Sequence, residues 1–259
     1  MLTPVVRTIL LLNIGLFFVS AAGISLIDTF GLHSFLSPLF KPHQLVTHMF
    51  LHAGFGHIFS NMLGLFFFGP RLEEVWGSKR FTIFYFFTGI GAGLLFSLVN
   101  YYEMSQVRDA LAIVQENLAP DVVINYLDRF APDLFVRYES LLTAYEQNPG
   151  SGELGRNVLN LVNSSYQEQV NVPMVGASGA IFGILMAFGL LFPNTELFLL
   201  FPPIPIKAKY LVAFYGAYEI YSGVYKAHDS NVAHFAHIGG MLFAYLLVRY
   251  WGTQRNKFY

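Results

Sequence analysis

Four polar side chains have the types and spacing of a hydrolytic site: Ser178, His237, His57 and Asn61. Serine and histidine form the minimal pair of nucleophile and general base, because an imidazole can take the hydroxyl proton during attack on a carbonyl and return it to the leaving amine. His57 and Asn61 are spaced as i and i+4, so on a helix they share one face and both can donate to a developing oxyanion. The set indicates acyl transfer, provided that the fold brings its members together.

Ser178 lies in an uncharged apolar stretch, residues 173–192. About 20 residues at ~1.5 Å per residue match the thickness of a bilayer core, so this stretch is predicted to be a membrane-spanning helix. A serine in such a helix often serves only close packing between helices. The small residues Gly176, Ala177 and Gly179 around it also leave room for a substrate backbone.

The composition is that of a multispanning membrane protein. Of 259 residues, 54% are hydrophobic, 17% aromatic and only 12% charged. A net charge of −1 argues against a nucleic-acid partner, because no basic surplus is present to neutralise phosphates. The absence of cysteine excludes disulfides and thiolate metal sites, and no pattern indicates a bound cofactor.

The predicted fold class is an all-α polytopic membrane protein: a bundle of six transmembrane helices with a helical insertion outside the membrane between helices 3 and 4. Residues 1–101 would hold helices 1–3, residues 102–172 the soluble acidic insertion, and residues 173–259 helices 4–6. The predicted spans are Thr8–Ile27, a second beginning at His57, Phe81–Tyr101, 173–192, Ile206–Tyr225 and Val232–Trp251, with a turn at Pro202, Pro203 and Pro205 between the fourth and fifth.

The insertion differs sharply in composition from the rest of the chain. Residues 102–172 carry ten of the sixteen acidic residues and no uncharged run long enough to span a membrane. Val107, Leu111 and Val114 follow a helical period, which predicts short amphipathic helices. Glycines near Pro149, at 150, 152 and 155, predict a turn within the insertion.

Lysine and arginine predict the orientation of the spans. With a cytoplasmic N-terminus, the short outer loops hold only Lys41 and Lys226, and the other basic residues outside the insertion lie on the cytoplasmic side. Spans two, four and six then all enter from the outer face. His57, Asn61, Ser178 and His237 therefore share one depth, roughly within the first 10 Å below the surface. Polar groups within spans tend to face one another or a water-filled cavity.

Three motifs occur in a fixed order: H-x4-H-x3-N at His52, His57 and Asn61, then G-x-S-G around Ser178, then A-H-x-x-G around His237. The serine motif alone is weak, and it lacks the last glycine of the G-x-S-x-G elbow of soluble hydrolases. As an ordered set, the motifs resemble those of the rhomboid family of intramembrane serine proteases. The resemblance extends over all six spans and leaves out residues 102–172.

The resemblance implies a role for each matching residue. Ser178 would be the nucleophile and His237 the general base, with no third acidic member. His57 and Asn61 would stabilise the oxyanion together with the Ser178 backbone amide. His52 would support the loop before span two, and Phe182 would pack on the catalytic imidazole. The glycines of the two later motifs, Gly176, Gly179 and Gly240, would support the site.

Other positions match the family's structural pattern or depart from it. The G-x3-E-x3-G motif at Gly69, Glu73 and Gly77 is similar to one whose glutamate is structural in the family. Ala244 stands where a second glycine is usual after Gly240, and one methyl could loosen the packing of spans four and six. The tryptophan–arginine pair that many members carry in the first loop is absent.

His234 offers an alternative chemistry, because H-x-x-H with His237 could be a pair of metal ligands. His52 and His57 lie nearby. A zinc site is disfavoured, since no carboxylate is identified beside these histidines within the spans and H-E-x-x-H is missing, and no metal is expected. The remaining histidines, at 33, 43, 48 and 228, are interpreted as loop or interface residues.

The expected function is that of an intramembrane serine endopeptidase that cleaves transmembrane segments of other membrane proteins. Its partners would be single-pass or other transmembrane substrates and the lipid bilayer. It is expected in a bacterial plasma membrane with both termini cytoplasmic. The alternative is a rhomboid-fold protein that binds membrane clients without cutting them. A transporter is disfavoured, because no acidic residue in a proton-relay arrangement and no inverted repeat is identified.

Overall fold

The computed structural model describes residues 2–198, 204–225 and 233–255, most of which are helical. The chain divides into two compact units. The first unit comprises Met1–Leu32, Lys41–Leu98 and Pro173–Tyr259, and the second comprises His33–Phe40 and Val99–Val172.

Within the described residues, the secondary structure consists of helices and one short strand pair. In chain order the elements are α1 Pro4–Ala21, α2 Ile27–Phe30, α3 Gln44–Thr47, a 3₁₀ turn His48–Phe50, α4 Phe55–Glu116, α5 Pro120–Phe130, α6 Pro132–Arg137, α7 Glu139–Gln147, α8 Gly152–Asn171, α9 Ser178–Leu191, β1 Glu196–Phe198, β2 Pro205–Lys207, α10 Ala208–Tyr225 and α11 His234–Arg255.

Helix α4 is interrupted at one residue, Gly77, whose backbone has φ 76° and ψ 160°. Glycine adopts positive φ without the steric conflict that a Cβ would cause, so the chain can change direction there within a single residue. The second and third predicted spans are therefore separated by a break at Gly77. The chain between these two predicted spans is otherwise helical, and Pro70 lies inside the helix.

Glu73 joins this break to the N-terminus of α1. Its buried carboxylate accepts hydrogen bonds from the backbone N–H of Val5 at 3.1 Å, from that of Val6 at 3.0 Å and from the Ser78 hydroxyl at 2.6 Å. The first N–H groups of a helix have no partner within the helix, and the positive end of the helix dipole favours a carboxylate. Glu73 thus has the structural contacts expected from its motif.

Two described helices are long and apolar enough to cross a membrane, Pro4–Ala21 and Phe55–Glu116. Helix α9 is apolar but has only 14 residues, because it begins at Ser178 and not at Pro173 as predicted. The residues before it use their backbone groups elsewhere. Met174 pairs with Leu32 in an isolated antiparallel bridge, and Gly176 N–H donates to the carbonyl of His48 at 2.9 Å.

After α9, strands β1 and β2 pair in antiparallel fashion, and α10 then starts at Ala208. Helix α11 starts at His234, two residues after the predicted start of the sixth span. Several residues of the earlier predictions lie outside the described chain: Pro202, Pro203, Lys226, His228 and Val232.

The second unit has a hydrophobic core of its own, to which Val107, Leu111 and Val114 contribute, as their helical period indicates. Within it, burial raises the pKa of Tyr126 above its usual value. The turn predicted from its glycines is shorter than expected. Helix α8 starts at Gly152, where the Ser151 side chain accepts a hydrogen bond from Leu154 N–H as an N-cap.

Candidate active site

Ser178 is the first residue of α9 and is partly exposed. The first turn of a helix leaves backbone N–H groups without partners in the helix and carries the positive end of the helix dipole. The start of α9 thus offers a favourable environment for negative charge beside the Ser178 hydroxyl.

His237 lies in the first turn of α11, and its Nε2 atom is 2.8 Å from Ser178 Oγ. The ring of Phe182, one turn after Ser178 on α9, stacks on the imidazole with a centroid distance of 4.1 Å and an interplanar angle of 8°. The stacked ring limits rotation of the imidazole and leaves Nε2 directed at the hydroxyl. A serine and a histidine in this relation can carry out the proton transfer of nucleophilic catalysis.

Helices α9 and α11 approach so closely at Gly179 and Gly240 that no side chain fits between them. A Cβ on Gly240 would lie 1.8 Å from the carbonyl oxygen of Gly179. A Cβ on Gly179 would lie 3.4 Å from the carbonyl oxygen of Ala236 on α11 and 2.4 Å from the Cβ of Ala92 on α4. Since Gly179 follows Ser178 and Gly240 is one turn from His237, this backbone contact sets the distance between the hydroxyl and the imidazole.

Gly176 fixes the entry into α9. Its φ of 130° is rarely adopted by residues with a side chain, and a Cβ there would lie 2.6 Å from His57 Nε2 and 3.7 Å from Ser178 Oγ. The ring of His57 and the hydroxyl of Ser178 therefore both border the space next to Gly176 that a side chain would fill. A cavity of about 10 Å³ lies next to this turn, and its lining includes Met174, Ser178 and Ala236. Its volume is enough for about one water molecule.

His57 and Asn61 occupy the first two turns of α4. His57 is partly exposed, whereas Asn61 is buried, and its Nδ2 donor has no hydrogen-bond partner among the described residues. A buried amide without a partner is costly and uncommon, so an unpaired donor here is a candidate for binding a developing charge.

His52 lies in the loop before α4, and its buried ring meets that of His57 edge to face at 5.0 Å between centroids. Burial, together with the neighbouring His57, lowers the pKa of His52 to about 3. The ring is therefore neutral at ordinary pH, and it packs against the ring of His57.

The sequence interpretation missed Glu219, a buried carboxylate on α10. Its Oε2 atom lies 2.6 Å from His234 Nδ1 and 3.0 Å from His237 Nδ1. The first contact is a hydrogen bond, and the second is at ion-pair distance but is not aligned as a straight hydrogen bond. The expectation that no carboxylate accompanies these histidines within the spans is wrong. The signal was present, since Glu219 falls inside the predicted fifth span and ionisable residues within spans are rare and commonly functional.

His48 was interpreted as a loop or interface residue, but it is almost completely buried in the 3₁₀ turn. Its Nδ1 donates to the Gln44 carbonyl at 2.8 Å, while its own carbonyl accepts from Gly176 N–H at 2.9 Å. Burial lowers the pKa of His48 to about 4. His48 thus holds the backbone that leads to Ser178, a role that no motif in the sequence indicated.

Comparison with known proteins identifies the family. The Rhomboid domain matches residues 40–112 and 151–253, which is more than half of the chain, and the chain belongs to the rhomboid family. Its members are membrane proteins, in agreement with the two long apolar helices.

Individual relatives match over short segments. RHOMBOID-like protein 1 of Arabidopsis thaliana is 46% identical over 57 residues, which are 22% of this chain and 15% of that protein. Rhomboid-like protease 3 of Toxoplasma gondii is 36% identical over 72 residues, 27% of each chain. Rhomboid-like protein 16, chloroplastic, of Arabidopsis thaliana is 24% identical over 130 residues, 46% of this chain and 40% of that protein. The matched segments thus cover less than half the length of these relatives.

Proposed function

We propose that this rhomboid-family protein is an intramembrane serine endopeptidase that hydrolyses peptide bonds in or near the transmembrane segments of other membrane proteins. The observation that carries the proposal is the 2.8 Å contact between Ser178 Oγ and His237 Nε2. Membership of a family that includes proteins named as proteases supports the same chemistry.

In the proposed reaction, Ser178 Oγ attacks the scissile carbonyl while His237 Nε2 takes the hydroxyl proton. The tetrahedral intermediate collapses to an acyl-enzyme when His237 returns that proton to the leaving amine. Water, deprotonated by the same nitrogen, then attacks the ester carbonyl, and His237 returns this proton to Ser178 Oγ as the ester bond breaks. The product leaves as a carboxylic acid, which ionises in water. Both steps use one hydroxyl and one imidazole, and their protons balance.

The oxyanion of each tetrahedral intermediate would be bound by Asn61 Nδ2, by His57 and by the Ser178 backbone N–H. The unpaired Asn61 donor and the free N–H groups at the start of α9 support this assignment. Donors held in place before the reaction stabilise the charge without reorganisation, which is commonly the largest single contribution to such catalysis.

The proposed substrate is a transmembrane helix that can unwind locally. A peptide carbonyl inside a helix is hydrogen-bonded and enclosed, so it becomes open to attack only where the helix unwinds. The family resemblance implies small residues at the cleavage site, and the glycines around Ser178 leave room for a substrate backbone. Entry would be lateral, beside the second and fifth spans.

The membrane arrangement that we propose has six spans, formed by α1, the two parts of α4 on either side of Gly77, α9, α10 and α11. Both termini would be cytoplasmic and residues 102–172 extracytoplasmic. Because the chain has no cysteine, single cysteines can report the side directly. A membrane-impermeant maleimide added to intact cells should label Glu146→Cys and leave Lys79→Cys unlabelled until the membrane is opened; the reverse pattern would contradict this topology.

The test of the activity uses purified full-length protein in detergent. A fluorophosphonate probe should label the wild type and the control Ser105→Ala, but not Ser178→Ala, and a single-span substrate should be cleaved with the same pattern. His237→Ala should also lose cleavage. Cleavage by Ser178→Ala at the wild-type rate would refute the proposed mechanism. A wild type that binds single-span clients but neither labels nor cleaves them would support the non-proteolytic alternative.

A further inference from the structure

The three side chains Glu219, His234 and His237 form a buried cluster next to the Ser178–His237 pair. The two histidines are three residues apart on α11 and therefore lie on the same side of that helix. The carboxylate reaches them from α10, and all three groups are at most 7% exposed. One carboxylate oxygen, Oε2, faces the Nδ1 atoms of both rings, at 2.6 Å from His234 and 3.0 Å from His237.

The position of Ser178 determines how the His237 ring must be protonated to act as a base. Nε2 has to be free to accept the Ser178 hydroxyl proton, so the neutral ring must carry its hydrogen on Nδ1. Nδ1 is the atom that lies 3.0 Å from Glu219 Oε2. An ionised carboxylate can only accept, and it therefore favours the tautomer with hydrogen on Nδ1.

We propose that Glu219 is a positioning residue for His237, and that His234 in turn holds Glu219. The inference deepens the proposed function and rests on it. The carboxylate keeps Nδ1 protonated and stabilises the imidazolium that forms when Nε2 takes the Ser178 proton. Glu219 itself gains no proton. The result is a chain of four side chains, His234, Glu219, His237 and Ser178, in place of a dyad.

The imperfect direction of the Glu219–His237 contact agrees with this role. Catalytic hydrogen bonds are often long or poorly aligned without substrate and tighten when it binds. The hydrogen bond from His234 at 2.6 Å fixes the carboxylate on one side and leaves it next to Nδ1 of His237. Two donors also lessen the penalty of placing a carboxylate among apolar helices.

A metal ion is the competing occupant of the same cluster, because one ligand atom from each residue lies within 4.8 Å of the others. Ligand atoms at about 2.0–2.2 Å from a tetrahedral ion are separated by roughly 3.3 Å. The separations of 2.6 and 3.0 Å from Glu219 are those of direct contacts between the side chains. The described geometry therefore favours hydrogen bonding, and the experiment includes an arm for the metal.

The decisive variant is Glu219→Gln, which keeps the size of the side chain and removes its charge. We expect kcat to fall by about 10²–10⁴-fold with KM within about threefold, because the imidazole loses its orienting anion while substrate contacts remain. The acidic midpoint of the kcat–pH profile should move to lower pH. Glu219→Asp, which restores the charge, should recover part of the loss. His234→Phe should lower kcat by about tenfold, the size of one hydrogen bond.

Controls separate positioning from folding. The same change at an exposed glutamate, Glu196→Gln, should leave kcat and the pH profile unchanged. Each rate is divided by the number of active sites, counted by complete fluorophosphonate labelling. A partly unfolded sample is then not mistaken for an enzyme with a low kcat. A purely structural Glu219 would lower the melting temperature and the number of sites but leave kcat per site and its pH profile as in the wild type, and that result would overturn the inference.

Two further readouts complete the test. Loss of activity with a chelator and recovery with Zn²⁺ would overturn the hydrogen-bonded arrangement in favour of a metal.

The ring-nitrogen NMR shifts of His237, assigned by difference from His237→Asn, need no cleavage. Hydrogen on Nδ1 in the wild type and its transfer to Nε2 in Glu219→Gln would support the inference even if no substrate were cut, whereas the same tautomer in both would refute it. Failure of the proposed protease activity would appear separately, as a wild type that is neither labelled nor active.

Discussion

Substituting Gly240 by alanine should separate the nucleophile from its base without altering either residue. The added Cβ would lie 1.8 Å from the Gly179 carbonyl oxygen and 2.7 Å from its carbonyl carbon. Both atoms belong to the backbone of α9, so no side-chain rotation can relieve the contact. Helices α9 and α11 would have to separate by about 1.5 Å to restore ordinary van der Waals distance.

A separation of this size acts directly on the site. Gly179 is adjacent to Ser178 and Gly240 is one turn from His237, so the shift falls at the level where Oγ and Nε2 are 2.8 Å apart. Misplacement of a reacting group by 1 Å can lower a rate by about 10²-fold. Overpacking typically destabilises a protein by about 1–3 kcal/mol. We therefore expect kcat per labelled site to fall by about 10²-fold or more in a protein that still folds.

The assay compares kcat and the rate of fluorophosphonate labelling with thermal unfolding in the same detergent. Gly252→Ala is the matched control, because it adds the same methyl to the same helix at a glycine with nothing within 4 Å. It should keep the wild-type kcat. If Gly240→Ala also turned over at the wild-type rate and retained its melting temperature, the close backbone contact would not set the geometry of the pair, and the reasoning would be wrong.

Three further substitutions test other contacts. Asn61→Ala should lower kcat by about 10–1,000-fold, as expected for one oxyanion donor, and unchanged turnover would remove Asn61 from the site. Glu73→Ala should lower the free energy of unfolding by about 1–3 kcal/mol, because two N–H groups of α1 lose their acceptor, while kcat per site stays the same; a wild-type melting curve would contradict this. His48→Gln should weaken the pH dependence of stability. Burial lowers the pKa of His48 to about 4, so between its ordinary value near 6.5 and about 4 only the unfolded chain binds the proton, and stability falls as pH falls through that window. Unfolding in detergent across this range should show a flatter profile for the variant, and identical slopes would refute the assignment.

The sequence allowed the reacting groups to be predicted, because their chemistry and their order along the chain are local properties. Ser178, His237, His57 and Asn61 were singled out by residue type and depth, and Phe182 by the resemblance to the rhomboid family. The structure brings Ser178, His237 and Phe182 into direct contact. Their catalytic roles remain predictions that the proposed experiments address.

The start of α9 could not be predicted from hydropathy, because residues 173–177 are uncharged and mainly apolar, as is the helix that follows. Contacts with residues far away in the sequence prevent the helix from starting earlier: Met174 pairs with Leu32, and Gly176 N–H donates to the carbonyl of His48. These bonds hold the chain in a non-helical path until Ser178. The serine consequently lies at the helix N-terminus, beside free N–H groups, and not six residues inside a span as its predicted depth implied.

The contacts between Glu219, His234 and His237 account both for the buried carboxylate on α10 and for the H-x-x-H pattern on α11. Two histidines on one face of α11 suggested metal ligands when no carboxylate was recognised nearby, and the carboxylate on α10 would by itself be a buried charge at high cost. Glu219 lies on the buried face of α10 with Val212, Ser222 and Gly223, in a helical period that turns it toward α11. Because His237 must present Nε2 to Ser178, its other nitrogen needs an acceptor, and His234 supplies the second donor that such an acceptor requires. A variant that lacks His234 should therefore retain Glu219 beside His237 but hold it less firmly, which is why its expected loss of kcat is smaller than that of Glu219→Gln.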